Sequence, residues 1–186
     1  QIIKKNPGFH LEDRNLLEKI DYERGVITLD GKEYEMLDIN FPTIDPKHPY
    51  ALSKDEEEIM SRLESAFLNC EKLQDHMRFL LNKGGLYKVY NGKLLYHGCV
   101  PLKEDGTLKS VRLYGRSYKG KSLYEVLESY VRKGFYALNK KEKERGKDMM
   151  WYIWLSENSP LFGKDKMATF ERYFLAEKET HKEKKN

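Results

Sequence analysis

The chain has 186 residues, of which 39% are hydrophobic and 34% charged, with a formal net charge of +4. This composition is typical of a globular protein with a sizeable core. The longest apolar runs are too short to span a bilayer, and a mild charge without a clustered basic face does not predict a nucleic-acid partner. Cys70 and Cys99 show no Cys-X-X-Cys spacing, which indicates free thiols in a reducing, cytoplasmic compartment.

The first half of the chain predicts a hairpin followed by a long helix. Apolar runs flank Asp30-Gly31, a favoured two-residue hairpin turn. A proline-rich crossing loop over 41–49 follows, and Ser53 and Glu56 have capping-box spacing. The helix should run to Gly84, with a bend near Asn69. We expect it to bury one apolar stripe, formed by Ile59, Leu63, Phe67, Cys70, Leu73, Met77 and Leu80.

A second hairpin is predicted around Asn91-Gly92, ending in a histidine. Leu94–Tyr96 should be a buried strand, and His97 follows it directly. Strand ends are places where folds put chemistry, and Gly98 lacks a Cβ, which would leave room for a ligand or metal. The alternative is a structural histidine that caps the strand by bonding a carbonyl.

Two polar loops in the second half are candidate binding segments. Gly115–Lys121 is basic and glycine-bearing, so Arg116, Lys119 and Lys121 could contact phosphate. Ser156–Lys166 follows the apolar run Met149–Leu155, which we expect to be buried. In this loop Asn158, Lys164 and Lys166 could bind phosphate or sugar hydroxyls. Both segments have an alternative interpretation as ordinary surface or structural loops.

The remaining elements predict an α+β fold. A helix should cover about 122–138, an exposed charged link 140–147, and a last helix about 167–176. Antiparallel hairpins and several long amphipathic helices do not alternate in a βαβ rhythm, which favours α+β.

Four segments carry a resemblance to a known family. The stretch Leu95–Leu102, with His97-Gly98 and Pro101, resembles a His-Gly segment of calcineurin-like metallophosphoesterases. Together with Asp30–Glu35, Asn40–Pro46 and Trp154–Gly163, it makes the chain similar to class III fructose-1,6-bisphosphatases, large manganese-dependent enzymes. The resemblance implies an internal segment of a longer metallophosphatase, divided into 1–52, 53–120 and 121–186, with part of a calcineurin-like domain.

The resemblance also implies a reaction. The full enzyme would hydrolyse fructose 1,6-bisphosphate to fructose 6-phosphate and phosphate in gluconeogenesis, using a water activated by two metal ions. The family's other metal-binding motifs are absent from this sequence, so the remainder of the same chain would supply them. Only His97 maps onto a ligand of Mn²⁺ or another divalent metal, and no catalytic residue is assigned.

The substrate-binding candidates under this interpretation are Arg116, Lys119, Asn158, Lys164 and Lys166. The 186 residues alone should be inactive, and homo-oligomerisation is left open. The competing hypothesis is a non-catalytic α+β interaction or regulatory module in which His97 is structural.

Overall fold

The computed structural model describes residues 1–177 and 183–184. Its helices and small antiparallel sheets confirm the α+β class, while the calcineurin-like assignment stays a prediction. The described strands are β1 (Ile20–Asp21), β2 (Val26–Leu29), β3 (Lys32–Glu35), β4 (Tyr87–Tyr90), β5 (Lys93–Tyr96), β6 (Val111–Leu113) and β7 (Arg116–Tyr118). The described α-helices are α1 (Ile2–Lys5), α2 (Lys54–Leu68), α3 (Glu71–Lys83), α4 (Lys121–Tyr136), α5 (Lys140–Leu155) and α6 (Thr169–Phe174).

The chain divides into two compact units, each built from separated segments. Among the described residues, the first contains Gln1–Arg14, Gly85–Met167 and residues 183–184, and the second contains Asn15–Gly84 and residues 168–177. The core of the first comprises Phe9, Leu11, Val111, Leu113, Leu123, Leu127, Met149, Tyr152 and Ile153. The core of the second comprises Ile20, Ile27, Leu29, Met36 and Leu175. The three-part division in chain order stays a prediction.

In the described part of the chain, neighbouring strands form three antiparallel sheets, in the orders β1-β2-β3, β4-β5 and β6-β7. Both predicted hairpins are confirmed, since Asp30-Gly31 and Asn91-Gly92 have positive φ at both turn positions. A third hairpin turns at Tyr114-Gly115. Most of the predicted basic loop is therefore the turn and β7.

Strand β5 is not buried as the sequence predicted. Its four residues are exposed, with Leu94 and Leu95 each 53% accessible. The reason is topological, because β4 and β5 form a two-stranded sheet with no further strand among the described residues.

The helix predicted from Ser53 to Gly84 is two helices, α2 and α3, separated at Asn69 and Cys70. Its capping box is confirmed: the Ser53 hydroxyl accepts from the Glu56 amide at 3.3 Å, and the Glu56 carboxylate accepts from the Ser53 amide at 2.7 Å. The prediction that the apolar stripe of this helix is buried is wrong. Cys70 is exposed, and Phe67 is 61% accessible, because little of the described chain packs on this face.

The pair α4–α5 forms the centre of the first unit. The expected link over 140–147 is instead the first half of α5, where Asn139 caps the helix by accepting from the Glu142 amide at 3.1 Å. Gly146 lies where the two helices touch, since a Cβ there would lie 2.2 Å from the Gly134 nitrogen.

The apolar run at the end of α5 is buried on one side only. Met149 and Ile153 are at most 1% accessible, whereas Trp154 is 61% accessible. The last helix, α6, is shorter than predicted. The charged C-terminal run lies mostly outside the described residues. No described helix has both the length and the apolar character needed to cross a bilayer.

Candidate functional site

His97 directly follows β5, as predicted, and its side chain is exposed. The imidazole makes no hydrogen bond to another residue that the structure describes. A structural strand cap would be enclosed and hydrogen-bonded, so that interpretation is not favoured. The ring is available to a ligand, although no other described residue fixes its second nitrogen.

The backbone after His97 is held by two neighbouring elements. The Cys99 amide donates to the Pro160 carbonyl at 2.9 Å, and the Tyr124 hydroxyl of α4 donates to the Cys99 carbonyl at 2.7 Å. Burial is the main cause that raises the pKa of Tyr124 to about 12, so this phenol stays protonated and keeps donating. Burial also raises the pKa of the Cys99 thiol, which makes Cys99 a packing residue rather than a nucleophile.

Gly98 has a different role from the one the sequence suggested. A Cβ at this position would lie 2.3 Å from the Pro160 carbonyl oxygen and 2.8 Å from that of Leu161. The glycine therefore allows the 156–166 loop to approach the backbone, and the space beside it is already filled. Two segments that the sequence singled out separately thus pack against each other.

Ser159 fixes the shape of the 156–166 loop. This fully buried residue donates from its hydroxyl to the Ile153 carbonyl of α5 at 2.6 Å and accepts from the Leu161 amide at 3.2 Å. The loop is therefore tied to the core helix on one side and to the His97 segment on the other. A rigid support of this kind is what a positioned ligand needs.

The predicted substrate-binding residues do not form one cluster. Arg116 lies on β7 with Lys119 just beyond it, both exposed. No hydrogen bond or ion pair among the described residues joins either of them to the His97 segment. Lys164 is engaged by Glu183, with its Nζ 2.7 Å from the carboxylate. Lys166 is half-buried, and Asn158 lines a cavity of the first unit.

A cavity of about 1120 Å³ lies within the first unit, between the N-terminal segment, the β6–β7 hairpin and α5. Most of its charged lining residues were not anticipated from the sequence. The run Lys140–Lys147 looked like a solvated link, although helical spacing places Lys141 and Arg145 on one face. Of the predicted site residues only Asn158 lines it. The Asn158 Oδ1 is enclosed and has no hydrogen-bond donor among the described residues.

Two of the charged residues that line this cavity, Lys5 and Asp148, neutralise each other. The buried carboxylate of Asp148 accepts from Lys5 at 2.8 Å and from the Asn6 amide group at 3.0 Å. The hydrogen bond to Asp148 is the largest cause that raises the pKa of Lys5. Lys5 and Asp148 therefore satisfy each other and are not free to bind a ligand.

The described residues do not complete a metal centre. They contain no group of three or more His, Cys, Asp or Glu side chains placed to hold a metal ion. His97 can supply one nitrogen ligand, so any metal bound there needs further ligands from outside these residues.

Comparisons with known proteins give a consistent result. The sequence model of the Firmicute fructose-1,6-bisphosphatase family matches residues 1–186. Proteins named fructose-1,6-bisphosphatase class 3 from Alkaliphilus metalliredigens, Clostridium botulinum (strain Langeland) and Clostridium tetani are 51%, 50% and 49% identical to it. Each alignment covers 100% of this chain but 28% of the relative. No solved structure matches. The chain belongs to the Firmicute fructose-1,6-bisphosphatase family.

Proposed function

We propose that this chain is part of a fructose-1,6-bisphosphatase that hydrolyses fructose 1,6-bisphosphate to fructose 6-phosphate and phosphate in gluconeogenesis. The observation that carries the proposal is 51% identity over the whole chain to a class 3 enzyme. The chain spans 28% of the length of that relative. The activity therefore belongs to the intact protein, in the cytoplasm, and we expect the 186 residues alone to be inactive.

His97 would act as one ligand of a divalent metal, with Mn²⁺ as the expected ion. Its exposed imidazole at a strand end, without a hydrogen bond to the described residues, supports this role. The chemistry that divalent ions supply in such sites is activation of a water and stabilisation of phosphoryl charge. The remaining ligands would come from the rest of the same chain, since the described residues do not supply a set.

The chain's own residues would position that ligand. The hydrogen bonds of Cys99 to Pro160 and Tyr124 hold the backbone beside His97 at 2.9 and 2.7 Å. Among the substrate-binding candidates, Asn158 and Lys166 lie on the loop that packs against this segment. Lys164 is already paired with Glu183, so it is the weakest of the three candidates in this loop.

The test is Mn²⁺-dependent release of phosphate from fructose 1,6-bisphosphate by the intact protein. Loss of a metal ligand in His97→Ala should reduce turnover by about 100-fold or more and lower the bound manganese. His48→Ala, which changes an exposed histidine in the proline-rich loop, is the matched control and should keep turnover within about twofold. Equal activity and metal content in both variants would remove His97 from the site.

A second measurement addresses the 186 residues by themselves. We expect no turnover from them, because a single ligand cannot hold the metal. Turnover by the purified segment above the level of its own His97→Ala variant would show that the segment contains a complete site.

A further inference from the structure

The cavity in the first unit has a basic wall whose charges are not paired. The wall consists of Arg112 from β6 and Lys140, Lys141 and Arg145 from α5; we call this part of the cavity the basic cleft. None of the four forms a salt bridge with a residue that the structure describes. They contrast with Lys5 in the same cavity, which lies 2.8 Å from Asp148.

The positive charges at the start of α5 lower the stability of this helix. Lys140 and Lys141 occupy the first turn of the helix, where the macrodipole disfavours positive charge. Lys141 and Arg145 are also like charges at an i,i+4 spacing, which repel on the helix surface. Glu142 in the same turn offsets part of the first penalty, and a bound anion would offset more of both.

Tyr114 supplies an aromatic surface in the same wall. It has a φ of 47° in the β6–β7 turn, a left-handed conformation that a tyrosine rarely adopts. Its ring is held between Phe9, Tyr130 and the Arg145 guanidinium, at centroid distances of 5.8, 5.2 and 5.4 Å. This packing presents a fixed aromatic surface beside Arg145, which has no salt bridge among the described residues.

We propose that the basic cleft binds a small phosphorylated molecule. Its phosphate oxygens would be bound by Arg112, Lys141 and Arg145, whose guanidinium and ammonium groups suit phosphate. Its body would lie against the Tyr114 ring. The volume of about 1120 Å³ accommodates a molecule of metabolite size.

This assignment does not depend on the proposed role of His97, because His97 is not among the cavity-lining residues. The experiment is calorimetric titration of the intact protein with inorganic pyrophosphate and, separately, with fructose 1,6-bisphosphate. EDTA is present throughout, so that no metal-held phosphate contributes. Binding of pyrophosphate would show that the basic cleft recognises phosphate groups. Tighter binding of fructose 1,6-bisphosphate would identify the substrate as the phosphorylated molecule that the cleft binds.

The test variant is Lys141→Gln/Arg145→Gln, and the control is Lys143→Gln/Lys147→Gln. The control removes the same charge from the same helix at positions that do not line the cavity. Loss of two charge-assisted contacts should weaken pyrophosphate binding at least about tenfold in the test variant. The affinity of the control variant and of His97→Ala for pyrophosphate should stay within about twofold of that of the original protein. Far-ultraviolet circular dichroism of each variant checks that α5 is intact.

Three results would overturn the proposal. Equal weakening in the test and control variants would show a diffuse charge effect rather than a site. Binding of a single-stranded oligonucleotide that the test variant loses, without binding of pyrophosphate, would assign the cleft to a nucleic acid. Absence of binding of both phosphate probes at millimolar concentration would leave the cleft without the proposed ligand class.

Discussion

The helix pairs α4–α5 and α2–α3 have similar apolar patterns but bury them to very different extents. In α4, Leu123 and Leu127 are fully buried, whereas in α2 Leu63 and Phe67 are 48% and 61% accessible. Both pairs place apolar residues at spacings of three and four. The apolar pattern therefore identifies a helix face that favours burial, but whether another element covers that face depends on the rest of the structure.

The α4–α5 pair covers its own face because two glycines allow close approach. A Cβ at Gly146 would contact the backbone of Gly134 and Tyr130, at 2.2 and 2.5 Å. The α2–α3 pair lacks such a partner among the described residues. Since the curated relatives are much longer than this chain, we expect residues of the intact protein to cover α2–α3.

The largest expected effect is on the free energy of unfolding, when one leucine from each helix pair is replaced by alanine. Leu127→Ala should lower the free energy of unfolding by about 2–5 kcal/mol, because it leaves a cavity in a closed core. Leu63→Ala should cost less than about 1 kcal/mol in the 186-residue chain, where the side chain is half exposed. Urea denaturation measures both. If Leu63→Ala remains mild in the intact protein as well, the expectation that this face becomes covered is wrong.

A smaller effect should follow from filling the glycine contact. Gly146→Ala should cost about 1–3 kcal/mol, because the new methyl group forces α4 and α5 apart. Gly8→Ala is the control, since a Cβ there meets no atom within 4 Å. The urea midpoints of the two variants are the measurement. A Gly146→Ala protein as stable as Gly8→Ala would contradict the close helix contact.

Removing the hydrogen bond between α4 and the His97 segment should lower the free energy of unfolding by less than the two core changes above. Tyr124→Phe removes the donor to the buried Cys99 carbonyl and should cost about 1–2 kcal/mol. Tyr90→Phe, on the exposed strand β4, is the matched control and should be neutral. If the two substitutions cost the same, the Tyr124 hydroxyl does not anchor this segment.

The smallest effect concerns the cap of α2 and depends on pH. Hydrogen bonds, first from Thr43 and then from Ser53, lower the pKa of Glu56 below its ordinary value of 4.5. The folded state therefore favours the carboxylate, whose stabilisation is complete above pH 4.5 and is lost as pH falls through the folded pKa. Urea midpoints between about pH 3 and 6 should fall less steeply for Glu56→Gln than for Glu57→Gln. Equal slopes would argue against the capping box as a source of acid sensitivity.

The sequence by itself determined the features that depend on neighbouring residues. The Asp30-Gly31 and Asn91-Gly92 turns, the Ser53–Glu56 cap and the position of His97 after a strand follow from turn and capping chemistry within a few residues. The family resemblance, spread over four segments, was also readable without coordinates.

Only the tertiary structure decided burial and long-range proximity. The exposure of Leu94 and Cys70, the use of Gly98 for a loop contact, and the meeting of α5 with Tyr114 all depend on residues far apart in the chain. A local pattern records the chemistry of a face but not what packs against it. For this reason the basic cleft, built from β6, α5 and the turn after β6, could not be predicted from any one segment.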